Sequence, residues 1–439
     1  MRKLFDHICS QVDDAELYIK RDDIISIDIK QGVVKAVDGK NVVGLSLRMN
    51  NEGKAGTAVS TSLEDKSIVE RAIISSQYQT GDLFNFKHIP SEPVVCFDEV
   101  LVRKTSEELI LLGKTLNDRI KAIDDTIIFA ISVIRTISDV SIINTAGLDD
   151  SYNKSQLTIS IETMSDAGFV QTSITESYSK FFEISDELLK DLVHKHQIST
   201  HVYEVETSRM PVVFSGRAMG SLMTRLLAGV NGEFISKGVS PLENKLGNKV
   251  ASDILSVTDE GRLSHGFQTM KFDDEGIPTQ RTRIIEKGVL KNFMVSVSTE
   301  EKLGCSATGN AQKKTMFSKE IEDQPVIDST NFMIEPGVTS DDEIINGISH
   351  GIYVDSVMGT HTGNIPAGEY ALNVGIGYLI KDGKLVGKVV DSMVSGNIYE
   401  DMFKIEAVGK KLELMNVVFY PMGYSPMVKF SDINVIGSK

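Results

Sequence analysis

Residues 24–30 read IISIDIK. Ile25, Ile27 and Ile29 fall on one side of an extended chain, and Ser26, Asp28 and Lys30 fall on the other. A period of two marks a strand with one buried and one wet face. The continuation, GVVKAVDGKNVVGLSLRMN at 32–50, keeps the apolar β-branched content and predicts short strands around a DGK turn near Asp38 and Gly39. The stretch therefore predicts an antiparallel meander rather than the continuous apolar strands of a parallel sheet.

Outward from this meander the pattern changes to helical. SLEDKSIVERAIISSQ (62–77) and TSEELILLGKTLNDRIKAI (105–123) predict two helices, the second opened by Thr105 and Glu108 at capping-box spacing. DTIIFAISVIRTISDVSIIN (125–144) returns to strand, and SYNKSQLTISIETM (151–164) with GFVQTSITESYSKFFEI (168–184) predicts a long hairpin. SDELLKDLVHKHQ (185–197) predicts a third helix. This order gives an α+β fold, with helices covering one face of a mostly antiparallel sheet.

Near residue 205 the texture shifts. Of 35 glycines, 26 follow that position, and turn strings such as DEG (259–261), DDEG (273–276), EKG (286–288) and KDG (381–383) separate short β-rich runs. Two helical patterns interrupt them, GRAMGSLMTRLLAGV (216–230) and SDDEIINGI (340–348). We expect an N-terminal α+β domain over 1–205 and a β-rich C-terminal domain over 206–439.

The bulk composition excludes several functions. The formal net charge is −15, from 46 basic and 61 acidic side chains. Phosphate neutralisation drives nucleic-acid affinity, so this balance argues against DNA or RNA as a partner. No apolar run is long enough to span a bilayer. The N-terminal segment MRKLFDHICSQVDDAELYIK turns acidic where a secretory leader needs its apolar stretch. Cys9, Cys96 and Cys305 are odd in number and widely spaced, which fits a reducing compartment. These features predict a cytoplasmic protein without a membrane or nucleic-acid partner.

Catalytic chemistry is sparse. Asp273, Asp274 and Glu275 stand in a row before Gly276, and such acids hold a hard cation only with further oxygen ligands at suitable spacing. The following strand pattern makes a turn the better reading. Eight histidines are scattered at 7, 88, 194, 196, 201, 265, 350 and 361. His194 and His196 diverge by roughly 200° on a helix and cannot share a metal there. Cys305, in LGCSATGNAQ, and His361, in MGTHTGNIPAGEY, sit in Gly-flanked loops that would form a nucleophile pair only if the loops met; an inert packed cysteine is the blander alternative. No P-loop, GxSxG or HExxH occurs. In the 216–230 helix, Met219, Leu222, Met223, Leu226, Leu227 and Val230 form one apolar stripe, as expected of a core helix.

Long ordered strings then carry a resemblance. NKLGNKVASDILSVTDEG (244–261), FDDEGIPTQRTRIIEKGVLKNFM (272–294), TGNAQ (308–312), HGIYVDSVMGTHTGNIPAGEYALNVGIGYLIKDGKL (350–385) and SGNIYEDM (395–402) resemble the TldD/PmbA family, also known as peptidase U62 and as a modulator of DNA gyrase. The likeness is strong from about 211 to 409 and rests on layout alone before 205. It implies a two-domain α+β protein from a cytoplasmic metalloprotease assembled from two related subunits.

One subunit type in that family carries an HExxxH zinc motif on a C-terminal-domain helix and a late cysteine ligand. The PmbA (TldE) type lacks them. Here the corresponding helix reads GSLMTRLLAG, so the motif positions become Thr224, Arg225 and Gly229, and no cysteine follows Cys305. The resemblance therefore implies a PmbA/TldE-type chain with no catalytic or metal residue of its own. Zinc is expected in a TldD-like HExxxH partner. Peptides or unfolded polypeptides are the expected substrates, with Cys305 and His361 as candidate substrate-chamber loop residues. The alternatives are a non-enzymatic homodimer that binds peptides or a regulator, and a Cys–His hydrolase.

Overall fold

The computed structural model describes residues 1–79, 81–313, 320–417 and 420–438. Its first half is built on a six-stranded antiparallel sheet of β1 (Asp14–Lys30), β2 (Val33–Asn51), β3 (Lys54–Ser60), β4 (Ile128–Asn144), β5 (Asp149–Met164) and β6 (Val170–Tyr178), in the order β3-β2-β1-β4-β5-β6. The alternation at 24–30 is carried through: Ile27 and Ile29 are buried, and Asp28 and Lys30 are exposed.

The expected DGK turn is absent. Asp38 pairs with Ser26 and Gly39 with Ile25 inside one continuous 19-residue strand. The reversal lies instead at Gln31 and Gly32, with φ of 53° and 76°. Two successive left-handed residues give the backbone twist that a tight hairpin requires, whereas Gly39 keeps an extended backbone that needs no glycine.

Helices α1 (Arg2–Cys9), α2 (Ile68–Ser76), α3 (Glu99–Val102), α4 (Ser106–Ile123) and α5 (Asp186–Ile198) accompany the sheet. The capping box of α4 forms as its spacing predicts: Glu108 N–H donates to Thr105 Oγ1 at 3.3 Å, and Thr105 N–H to Glu108 Oε2 at 2.9 Å. One apolar cluster joins α4 and α5 to Ile27, Ile131, Val133 and Ile159, and another joins α1 and α2 to Leu17, Leu45 and Leu47. Helices thus cover one sheet face.

The second half contains a six-stranded and an eight-stranded sheet of mixed pairing among the described residues. The short strand β7 (Val202–Tyr203) already pairs with Lys388–Val389 of the larger sheet. Next come β8 (Ser208–Phe214) and the central helix α6 (Gly216–Val230). Residues of α6 and of both sheets share one large core that includes Phe214, Leu222, Leu226, Phe332, Leu372, Met415 and Phe430.

The two halves meet along a polar seam organised by the acidic trio. The turn at 273–276 forms, but its acids are not surface decoration. Asp273, fully buried, accepts N–H groups from Glu275 at 3.0 Å, Ile277 at 2.9 Å and Ala311 at 2.9 Å. Asp274 accepts the Lys313 N–H at 2.7 Å, and Lys313 Nζ donates to Ser46 of β2 at 3.0 Å. Glu275 receives Arg48 of β2 at 3.2 Å, and Arg48 is also held by Glu16 of β1 at 2.6 Å. Beside this network Phe272 packs edge-on against Tyr152 of β5, with ring centroids 5.0 Å apart.

Removing the Asp273 carboxylate leaves three N–H donors, two of them buried, without their acceptor. Asp273→Ala should cost about 3 kcal/mol or more, and Asp273→Asn, which keeps one acceptor oxygen, distinctly less. Urea unfolding of the three proteins checks this order.

Candidate functional site

Helix α6 opens on Ser215, whose Oγ accepts the Ala218 N–H at 3.1 Å. The apolar stripe read from sequence is present, yet the opposite face is not wet. Every residue of α6 is buried except Thr224 and Leu227. A helix enclosed on all sides must satisfy its polar side chains internally.

Among the described residues, Arg225 is the largest to be fully buried. Nε donates to the Glu369 carbonyl at 2.7 Å. Nη1 donates to Ser221 O at 2.6 Å and, more weakly, to Thr224 Oγ1 at 3.4 Å. Nη2 donates to Thr360 O at 3.2 Å and Thr362 O at 3.0 Å. These contacts use all five N–H donors of a guanidinium, and none of the acceptors is a carboxylate. Burial lowers the arginine's affinity for its proton, countered by Tyr370 and Tyr399. The effect is to fasten the loop 359–369 onto α6.

Tyr399 reinforces this fastening. Its hydroxyl lies 3.0 Å from Arg225 O and 3.1 Å from Pro366 O. Gly229 makes the approach possible, because a Cβ there would stand 2.3 Å from the Tyr399 hydroxyl. So Arg225 and Gly229 both have structural work at their positions. Thr224, the third motif position, turns its hydroxyl back to Ser221 O at 2.9 Å.

Beside the helix lies a cavity of ≈ 310 Å³. Its walls come from Thr224 and Leu227 of α6, Phe234, Ile327, Ile365 and Met422, with Asp328 and His361 as polar members. This is the small end of ligand-site volumes, with room for one or two side chains. Asp328 accepts the Ser329 N–H at 2.7 Å. Burial, helped by the Asp259 carboxylate, pushes its pKa up to about 7. Asp259 is itself raised to about 6 by burial, against hydrogen bonds from Thr330 and Asn310.

His361 is exposed at the cavity wall, whereas Cys305 is not among the cavity's lining residues. Cys305 follows the short helix Glu300–Leu303, and both burial and Glu300 raise its thiol pKa. A nucleophilic cysteine needs the opposite shift.

Among the described residues, no group of three or more His, Cys, Asp and Glu is arranged to hold a metal ion. Zinc does not suit the residues at 224, 225 and 229: a hydroxyl, a cation and a glycine with no side-chain donor. Of the paired histidines, His194 is exposed, while His196 is partly buried and bonded to Thr163 Oγ1 at 2.9 Å. Sequence reasoning missed Asp328 and Tyr399. Asp328 stands in no recognisable motif, and Tyr399, though inside the SGNIYEDM string, gains its role from Arg225 and Pro366, distant in the chain.

Fold and core together define an α+β protein with an antiparallel N-terminal sheet and a strand-rich C-terminal region. Residues 207–437 match the PmbA/TldA metallopeptidase C-terminal domain, and the chain belongs to this PmbA/TldD family. It is 23% identical over 440 residues to the metalloprotease PmbA homolog of Buchnera aphidicola, covering 96% of this chain and 93% of that one. It is 29% identical over 230 residues to the metalloprotease TldD homolog of the same species, covering 52% of this chain and 46% of that protein. The chain thus spans about half the length of that TldD relative. The solved structure of TldE from Thermococcus kodakarensis superposes with a TM-score of 0.89 over 100% of both chains at 22% identity, a likeness of fold. No helix among the described residues is long and apolar enough to cross a membrane.

Two tests follow from this geometry. Gly229→Ala should destabilise the protein by about 1–3 kcal/mol through collision with Tyr399, and Tyr399→Phe in the same chain should recover part of that loss. A double-mutant cycle by thermal unfolding reads the coupling. Because the folded pKa of Asp328 lies above its unfolded value, the folded state binds the extra proton. Stability therefore falls as pH rises from about 4 to about 7, by up to about 1.4 kcal/mol per pH unit for each such group. Asp328→Asn should flatten that slope in urea unfolding across pH 4–8 without abolishing it, since Asp259 contributes in the same sense.

Proposed function

We propose that this chain is a PmbA/TldE-type subunit of a two-subunit cytoplasmic metalloprotease acting on peptides or unfolded polypeptides. In this reading it does not hydrolyse peptide bonds itself, pairs with a TldD-like HExxxH subunit that holds the zinc, and supplies part of the substrate chamber. The observation that carries the reading is Arg225. At the position that the family resemblance gives to the catalytic glutamate stands a buried cation spent on backbone carbonyls. A zinc-bound water needs a carboxylate there to take its proton.

The apolar cavity beside α6 then receives a side chain of the bound polypeptide. The backbone of an extended substrate would be held by main-chain hydrogen bonds, which make little demand on sequence. Thr224, Leu227 and His361 line the receiving surface.

The test is co-purification with a TldD-like HExxxH protein, followed by peptidase assays of each protein alone and of the mixture. Activity is expected from the mixture and should vanish with a chelator. Leu227→Arg, which fills the cavity, should lower kcat/KM of the mixture on apolar peptides by about tenfold or more while co-purification persists. Full chelator-sensitive activity from this chain alone would overturn the reading.

A further inference from the structure

The cavity beside α6 holds an acid that its own chain leaves unneutralised. Asp328 lines the cavity and is partly exposed. Asp259, whose charge acts on it, is fully buried and does not line the cavity. Asp259 is closed: it accepts the Thr330 N–H at 2.9 Å, the Thr330 hydroxyl at 2.6 Å and the Asn310 amide at 2.7 Å, all uncharged donors. Asp328 is not closed. Its Oδ1 accepts the Ser329 N–H at 2.7 Å and, more weakly, the Ser329 hydroxyl at 3.4 Å, while its Oδ2 accepts no hydrogen bond from the described residues.

Neither acid has a lysine, arginine or histidine partner among the described residues. Elsewhere the fold neutralises such groups: Glu16 takes Arg48, Asp355 takes Arg217 and Asp401 takes Lys404. A carboxylate in apolar surroundings without a cation is costly, which is why Asp328 holds its proton up to about pH 7. Its charge also bears on the phenol of Tyr420, a second lining residue, so the carboxyl stands at the cavity. The remaining surface is apolar, with Leu227, Phe234, Ile327, Val417 and Met422. A side chain with an aliphatic stem and a cationic head complements both parts, the stem against the walls and the head on the acid.

We propose that this cavity is a subsite for a lysine or arginine side chain of the bound polypeptide, with Asp328 selecting the cationic head. The assignment rests on the cavity being part of a substrate chamber, and it names the side chain that part takes. A purely aliphatic side chain fills the walls but leaves the acid covered and unpaired, and a glutamate adds a like charge. Pairing with the cation requires the ionised carboxyl. Below about pH 7 Asp328 must first release a proton, so the advantage of lysine over an uncharged isostere shrinks as pH falls. Asp259 acts on the cation in the same sense when ionised. His361 and Tyr420 are the other ionisable side chains on the wall and are kept in every variant below.

Fluorescence anisotropy with the purified chain reads binding of labelled alanine-based peptides whose central residue is lysine, norleucine or glutamate. At pH 8 the lysine peptide should bind about tenfold or more tighter than the norleucine peptide, with glutamate weakest. At pH 5 lysine and norleucine should converge. Asp328→Asn, which keeps the shape and removes the charge, should bind the two alike at both pH values, and Asp328→Glu should retain the preference for lysine. Equal binding of lysine and norleucine by the unaltered chain at pH 8 would overturn the assignment. So would a lysine preference that survives Asp328→Asn, or no binding of any of the peptides. The same peptides, given to the mixture with a TldD-like HExxxH protein, separate the two readings. Cleavage of none of them counts against the two-subunit protease and leaves the binding preference standing, whereas cleavage of lysine and norleucine peptides with equal kcat/KM removes the basic subsite alone.

Discussion

A guanidinium sealed inside a protein must find an acceptor for each of its five N–H groups or unfold the region that holds it. Arg225 meets that requirement with carbonyls from Ser221, Thr360, Thr362 and Glu369 and the hydroxyl of Thr224. Much of the second half follows from it. The loop 359–369 is pulled against α6, Tyr399 closes over Gly229, and the cavity beside Thr224 and Leu227 acquires a fixed wall. Among the described residues no counter-ion neutralises the charge, so the stabilisation comes from oriented main-chain dipoles. Such dipoles hold only while the loop keeps its conformation.

The seam between the halves obeys the same logic with the sign reversed. Three adjacent acids would repel one another in a solvated turn. Here each has its own partners: Asp273 the amides of its own turn and of Ala311, Asp274 the Lys313 amide, and Glu275 the Arg48 side chain. Arg48 in turn lies over the ring of Phe84, 5.2 Å from its centroid, and binds Glu16 of the neighbouring strand. A second buried cluster ties α5 to the larger sheet, where Asp355 takes Arg217 at 2.8 Å and Lys195 lies 3.7 Å away. That surrounding of cations holds the Asp355 carboxyl down to about 2 despite its burial. Both clusters place paired charges where the two halves touch.

Local rules explain what could be read from the chain. The capping box at Thr105 and Glu108, the alternation at 24–30 and the bounds of α6 depend on neighbours within a few residues, and all are realised. The DGK string misled because a glycine between polar residues signals a turn only when nothing longer-range competes. β1 supplies an unbroken ladder of partners through Asp38 and Gly39, and the reversal moves to Gln31–Gly32. The stripe on α6 suggested one buried face, whereas two sheets enclose the helix, a tertiary fact with no local signature. Burial of the 273–275 acids was hidden for the same reason, since their distant partners lie at 48, 297, 311 and 313. His361 and Cys305 looked equivalent as Gly-flanked loop residues, yet one borders the cavity and the other does not.

The fastening of loop 359–369 also bears on how this sequence can change over generations. A single exchange of Arg225 for an acid would insert an acceptor among acceptors and release the loop before any new ligand was gained. The intermediate would be penalised on both counts, so the arginine, once installed, acts as a ratchet.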